Sequence, residues 1–560
     1  MSLKENNIFF EAASREEWTK LAEATLKGRS VDSLSHINED GIEIDALYTS
    51  ETCDPAMSDD LSVGAAKKWV VAQYIEPSDN PQMLNAMILE ELKGGVEQVI
   101  FSSGQPLATV SKSMNGVLAD AVVISFEHPH EASEALEQVL QIWSDQKTEP
   151  ELSRASLGAE VTPDTSEKLV QFTLDKSDVL SQYPNLRVMK ISGADAHRQG
   201  ASAAQEIAYI LAHLTLLMRD ADSAGLSRAM LSERLDFDLA MEADLYGGIA
   251  KARAARLLID RLLNAMSCPV SNLSQRLHGI TSDRMLSLLD AETNMLRSGT
   301  AMLSMALSGL GIITNRPHDW LSGSSALSRR IARNVHHLLM DEAHLDQVAD
   351  PSQGSYFIET LTKKIADKSW NIFQEIERQG GLKSSAAQGY LRSCFEEAHA
   401  KRSNLANEGD TALLGVSIHP VQGVQNIPDV LDDQVKGEMI KRGGQYRPSA
   451  PWEELVQAFQ KLKSKCLLID LGENHSARTT KRWFDIFGFE TAAMSAESFE
   501  AGLKLIETAQ PEIVIMGKEM TGAEGKKEDL KTIVKSSDDF SGNIIAEMKS
   551  ILKMMNKEGV

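Results

Sequence analysis

The residues able to do chemistry are few and poorly grouped. Cys53, Cys268, Cys394 and Cys466 stand too far apart for Cys-x-x-Cys metal ligation and are too few to cross-link so long a chain, so they read as free thiols. His336 and His337 are adjacent; neighbours on a helix diverge, which makes them a poor metal pair. Arg330, Arg333 and Asn334 share a helical segment, where surface ion pairing is the first expectation. His475 lies in the polar stretch Leu471-Gly-Glu-Asn-His-Ser-Ala-Arg-Thr479 and reads as a solvated histidine, with Glu473 two residues before it. The sequence contains no nucleophile triad, no Walker-type phosphate loop and no zinc-ligand spacing.

Chemistry must therefore come from residues that the fold gathers. At 560 residues the chain exceeds what one core organises, and two or three domains are expected, one of them large. It is 42% hydrophobic and 24% charged, without a run approaching the ~20 apolar residues of a membrane span. Its 57 Lys and Arg against 80 Asp and Glu give a net charge of -23, a field that repels phosphate backbones and anionic lipid, so neither nucleic acid nor a membrane is expected as a partner. The polar start Met1-Ser-Leu-Lys-Glu lacks the pattern of a secretory signal, and a cytoplasmic location is expected.

Residues 1–60 are rich in charged and small polar types and read as an arm that needs another surface. From Trp69 onward, short apolar runs alternate with helical patterns. Glu97–Phe101, Ala121–Phe126, Lys168–Phe172 and Leu186–Ile191 read as strands; Ala203–Leu216, Lys251–Met266 and Ser355–Ile376 read as amphipathic helices. Strand–helix alternation over 61–420 predicts an α/β fold, a (β/α)8 TIM-type barrel, although only six or seven strands can be counted. Gly and Pro then cluster, predicting a linker over 421–460. Residues 461–560 read as a smaller doubly wound domain, with strands at Lys465–Asp470, Phe489–Ala493 and Pro511–Met516 and a helix over Ala477–Phe487.

Three groups of residues carry a family resemblance. Ile191-Ser-Gly with Gly200-Ala-Ser-Ala-Ala-Gln-Glu-Ile-Ala-Tyr209, then Lys251-Ala-Arg-Ala-Ala-Arg-Leu-Leu258, then Arg330-Ile-Ala-Arg-Asn334 with Val348-Ala-Asp-Pro-Ser-Gln-Gly-Ser-Tyr356, resemble the adenosylcobalamin-dependent acyl-CoA mutases, above all methylmalonyl-CoA mutase. The resemblance implies a barrel that holds the acyl-CoA and a flavodoxin-like C-terminal domain that holds cobalamin. The implied reaction is the radical interconversion of (R)-methylmalonyl-CoA and succinyl-CoA.

Four stretches depart from the family's catalytic pattern. The family's Asp-x-His-x-x-Gly, whose imidazole holds cobalt, aligns on Gly472 with Asn474 and Ser476; a slip of one gives Glu473, His475 and, where Gly should stand, Arg478. The strand ending at Met516 runs into a short hydrophilic segment, Thr521–Leu530, where the cofactor's nucleotide tail would need its pocket. After Ile-Ser-Gly the family's Tyr-His, which binds the thioester carbonyl, is Ala194-Asp195, and an anion there opposes a developing oxyanion. His197, two residues on, is the alternative donor. The entrance signature Trp-Thr-Ile-Arg-Gln-Tyr-Ala-Gly-Phe-Ser becomes Trp69-Val-Val-Ala-Gln-Tyr-Ile-Glu-Pro-Ser78, losing an arginine that suits an anionic substrate. Arg276-Leu-His-Gly-Ile-Thr-Ser282 resembles a channel-lining segment, with His278 read as structural.

Some members of this family pair a large catalytic chain with a smaller homologue lacking both sites. The sequence resembles that small subunit. This implies no catalytic, cofactor-binding or metal residue and no cofactor in this chain, with adenosylcobalamin in a large catalytic partner. Unused bore space is expected to be filled by larger side chains. Two other readings stand beside it: an active mutase using Glu473 and His475, with His475 on cobalt, and an acyl-CoA-binding regulatory protein.

Overall fold

The computed structural model describes residues 14–52, 64–129, 131–420, 446–462, 465–470, 476–495, 505–506, 509, 511, 513–516, 533–536 and 542–558. Eight strands close a barrel: β1 Val70–Ile75, β2 Gln98–Phe101, β3 Val123–Phe126, β4 Ala155–Glu160, β5 Leu186–Ser192, β6 Leu235–Met241, β7 Leu277–Thr281 and β8 Ile312–Thr314. All pair in parallel, and β8 closes the ring by pairing with β7 and β1. Strand alternation divides the side chains into two sets. Val71, Val99, Phe101, Ile124, Phe126 and Val188 belong to the main core that includes the surrounding helices. Ala72, Tyr74, Ile100 and Ile280 form a separate inner cluster with Leu286 and Trp320.

The expected strand at Lys168–Phe172 is instead part of helix Ser166–Asp175, which buries Leu169, Val170 and Thr173 on one face. A five-residue apolar run fits either element, and here the helix face prevails. The strand in this part of the ring is β4, Ala-Ser-Leu-Gly-Ala-Glu, whose small residues gave little signal. Strands β6, β7 and β8 were not named from the sequence either: Asp236, Asp238 and His278 break the apolar runs of β6 and β7, and β8 is only three residues long.

Buried ion pairs hold the helical shell together. Arg253, fully buried on helix Leu245–Ala265, donates from Nε to Asp350 at 3.1 Å and from Nη2 to Glu359 at 2.9 Å. Lys251 on the same helix pairs with Glu206 and donates to the Ala240 carbonyl oxygen at 2.6 Å, while Glu206 also accepts from the Ala240 amide at 2.9 Å. Arg329 and Arg333 both bind Glu91, which is 1% exposed. The expected surface pairing at Arg333 is therefore a buried one, while Arg330 and Asn334 are exposed. His336 and His337 do diverge: Trp69 Nε1 donates to His336 Nδ1 at 3.1 Å, and His337 Nε2 meets the Gly94 carbonyl oxygen at 2.9 Å.

In the arm, helix Arg15–Thr25 is closed by a capping box from Ser14 and Glu17 and buries no residue. Further on, a two-stranded hairpin joins His36–Ile37 to Glu43–Ile44, and Asp40 at its turn binds the Ser202 hydroxyl and the Ala204 amide, capping helix Ala203–Ala224.

The C-terminal region forms a parallel sheet of β9 Lys465–Asp470, β10 Glu490–Ser495, β11 Ile513–Met516 and β12 Ile533–Ser536, in the order β10-β9-β11-β12. Its core contains Trp452, Phe459, Phe484 and Phe487. Helix Ala450–Leu462 begins inside the expected 421–460 linker and runs past its end; it carries Glu453, which is bound twice by buried Arg447 and accepts from the Leu288 amide of the barrel at 3.0 Å. No helix among the described residues is long and apolar enough to cross a membrane.

Candidate functional site

The C-terminal ends of the barrel strands, where this fold carries its active sites, hold a continuous ionic lattice. A bulge in β4 shifts its register against β5 between Ser156 and Ala159 and brings Glu160 opposite Lys190. Gly158 permits it: its φ is +66°, and a Cβ there would lie 2.0 Å from the Phe126 carbonyl oxygen. After β5 the chain turns at once into helix Gly193–Arg198. A Cβ on Gly193 would meet the Asp238 carbonyl oxygen at 2.8 Å, so only glycine lets this turn sit so close to β6.

That turn fixes Asp195, at the position where the family's pattern has histidine. Its Oδ1 is bound by Arg198 Nη1, and Oδ2 faces His128 Nε2 at 3.7 Å. His128 Nδ1 in turn faces Glu160 at 3.7 Å. Burial opposes ionisation of Asp195, but Arg198, His128 and Lys190 outweigh it and hold the carboxyl below its ordinary range. The same burial, together with Asp195 itself, lifts Glu160 to about 8. The two carboxyls thus carry one proton between them, on Glu160. One ligand atom from each of His128, Glu160 and Asp195 falls within 4.8 Å of the others, yet Asp195 is already neutralised by Arg198.

The lattice continues across the mouth. Arg198 reaches Asp283 at 3.5 Å and Glu127 at 3.6 Å; Arg316 donates to Asp283 at 2.6 Å and lies over the rings of Tyr74 and Trp320, 5.4 and 5.0 Å from their centroids. Burial opposes the charge on Glu127, but Arg198, His128 and Arg316 pull its carboxyl down to about 2. Below this lid, Lys190 donates to the Glu127 carbonyl oxygen at 2.7 Å and stands 3.7 Å from Asp238.

His197 is 2% exposed and bound into the wall, with Nε2 at 2.7 Å from the Ser282 hydroxyl and Nδ1 at 3.5 Å from Glu206. Burial, then Arg284 and Lys251, keep its ring neutral well below the ordinary pKa. Both ring nitrogens are engaged, so this position offers no free donor to a thioester carbonyl. His278 meets the Thr314 hydroxyl at 2.8 Å and is pushed down to about 3 by burial and Lys190, as a structural histidine would be. Glu473 and His475 lie outside the described residues.

Inside the ring, the cavity lined by Tyr74, Lys190, Asp236, Asp238 and His278 measures about 30 Å³. That is room for about one or two waters, not for an acyl thioester. Filling is thus by polar and charged side chains as well as large ones. At the mouth, Arg316 lies over Tyr74 and Trp320 and is paired with Asp283. Sequence reasoning missed Glu127, His128, Glu160, Asp283 and Arg316; all five sit at or within two residues of a strand's C-terminal end, the signal that attention to strand ends would have supplied.

Fold and mouth together define an α/β-barrel protein whose strand ends are bridged by buried ion pairs. The family model for methylmalonyl-CoA mutase matches residues 163–478. A methylmalonyl-CoA mutase small subunit from Streptomyces virginiae is 30% identical over 443 residues, covering 74% of this chain and 71% of that protein. One from Porphyromonas gingivalis is 26% identical, covering 78% and 74%. A probable small subunit from Mycobacterium tuberculosis is 30% identical over 303 residues, covering 53% and 45%. The chain belongs to the methylmalonyl-CoA mutase family, and these relatives are named as its small subunits.

Proposed function

We propose that this chain is the small, non-catalytic subunit of an adenosylcobalamin-dependent methylmalonyl-CoA mutase, paired in the cytoplasm with a large subunit that interconverts (R)-methylmalonyl-CoA and succinyl-CoA. One observation carries the reading: the bore is reduced to about 30 Å³ beneath a closed ionic lattice in which Asp195 stands where a substrate-binding histidine would be. A barrel without a channel retains its outer surface, and the surface is then what it contributes. The C-terminal parallel sheet is read as a flavodoxin-like domain over 461–560 that no longer holds the cofactor; 61–420 is the barrel and 421–460 the connection. Residues 1–60 are the arm that meets the partner. In support, helix Arg15–Thr25 buries nothing, and Leu21, Leu34 and Ile37 are 71, 49 and 68% exposed, which suits a segment whose covering surface belongs to another chain.

The test is to co-express the chain with a large subunit of the same family and measure the mass of the purified product in solution. A 1:1 complex that loses its association when residues 1–34 are removed is expected. A large subunit that is fully active and never associates with this chain would overturn the proposal.

A further inference from the structure

Three neighbouring barrel strands bring an imidazole and two carboxyls together at their ends. His128 lies two residues beyond β3, Glu160 ends β4 and Asp195 lies three residues beyond β5. The C-terminal strand ends are where barrels of this kind assemble reactive groups from distant parts of the chain. The three residues are each more than thirty apart in sequence, so no local spacing announces them. One ligand atom from each lies within 4.8 Å of the other two.

Their separations are too long for hydrogen bonds and suit an ion between them. His128 Nδ1 stands 3.7 Å from Glu160 Oε2, and Nε2 stands 3.7 Å from Asp195 Oδ2. Nδ1 is moreover buried without any hydrogen-bond partner. Two metal–ligand bonds of ~2.0–2.1 Å, meeting at an ion, span such a gap. Arg198 holds Oδ1 of Asp195, which leaves Oδ2, the oxygen that faces His128. The side chains of His128 and Glu160 are 28 and 30% exposed, so an ion can reach them from solvent.

The local charges are also unequal. Each cation of the lattice has a carboxylate of its own: Lys190 stands 3.7 Å from Asp238, Arg198 binds Asp195, and Arg316 donates to Asp283 at 2.6 Å. Glu127 shares Arg198 and Arg316 with those partners, at 3.6 and 3.9 Å. Glu160 has only His128 as an ion-pair partner among the described residues. With Glu160 ionised, carboxylates therefore outnumber cations by two, which is the charge of one divalent ion.

We propose that His128, Glu160 and Asp195 bind one divalent transition-metal ion, of which zinc fits best, through one imidazole nitrogen and one oxygen of each carboxylate. These are ordinary nitrogen and oxygen ligands for zinc, and three of them leave a fourth position to water. Binding displaces to solvent the proton that the two carboxyls share. The ion ties the ends of β3, β4 and β5 to one another, a role independent of the subunit role proposed above.

The experiment is isothermal titration calorimetry of the full-length chain, stripped with a chelator, with Zn²⁺ and with Mg²⁺. One Zn²⁺ per chain is expected to bind saturably, and Mg²⁺ at least tenfold more weakly, since it demands octahedral oxygen ligation and gives up its waters reluctantly. His128→Ala should weaken Zn²⁺ at least tenfold. Glu160→Gln, which keeps the shape of the side chain, should weaken it at least tenfold as well and keeps the test decisive if the His128 variant misfolds. Absence of a saturable Zn²⁺ site, Mg²⁺ bound as tightly as Zn²⁺, or unchanged affinity in Glu160→Gln would each overturn the proposal.

Discussion

The wall of the barrel and its mouth are built from the same materials, arginine and lysine set against carboxylates, but to opposite ends. In the wall, Arg253 joins Asp350 and Glu359 across about a hundred residues of sequence, and Lys251 joins Glu206 to the Ala240 backbone; each pairing ties one helix to another element. At the mouth, Asp195, Arg198, Asp283 and Arg316 link the strand ends to one another. The stretches that carry the family resemblance fall mainly in the wall. Of the four that depart from it, Ala194-Asp195 lies at the mouth and Trp69–Ser78 spans β1 and its end, while the other two fall beyond the barrel in the sequence. Motif matches in the wall report the fold and say nothing of the chemistry at the mouth.

The largest way to break this comparison is at the wall. Arg253→Met would leave Asp350 and Glu359 buried without their shared cation, and should cost about 3–5 kcal/mol in chemical denaturation. A loss under 1 kcal/mol would mean that the wall pairs are dispensable. At the mouth, Asp195→Ala frees Arg198 from one of three carboxylates and should cost about 1–2 kcal/mol, because Asp283 and Glu127 remain within reach.

How much of this was legible in the sequence follows the same division. Residues such as Lys251, Arg253 and Asp350 lie in long, regular helices or fixed motifs, so family and fold could be read from them. The mouth was only partly legible: Glu160, Asp283 and Arg316 come from the ends of β4, β7 and β8, which were not placed, while Glu127 and His128 follow the correctly placed β3 and gave no pattern of their own. Asp195 was recognised as a departure, but its partner Arg198 was not, since a pairing three residues apart has meaning only once the short helix after β5 is known. Arg333 was misjudged as a surface residue because its partner Glu91 lies more than two hundred residues away. Buried charge pairing is a property of the closed ring, which no local pattern announces.

Sharper still is the proton held at the mouth. Glu160 titrates at about 8 in the folded chain against an ordinary 4.5, so between these values the folded state binds the additional proton and stability falls as pH rises through that window. The fall should be on the order of 1–2 kcal/mol after allowance for solvent screening at a side chain 30% exposed. Glu160→Gln, which imitates the protonated form, should flatten that slope and be more stable than the parent at pH 8. A slope unchanged in the variant would locate the proton elsewhere.

The smallest effect is expected where nothing is buried. Leu21→Glu on helix Arg15–Thr25 should alter the stability of the isolated chain by less than about 0.5 kcal/mol, yet weaken its association with a large subunit. Equal losses in both measurements would show that the helix serves this chain's own fold.

The most direct test of the central claim is a visible-absorbance titration of the purified chain, without any partner, with adenosylcobalamin. The account predicts no spectral change at high micromolar cofactor. A shift to the histidine-bound spectrum, abolished by His475→Ala, would contradict it and restore catalysis to this chain.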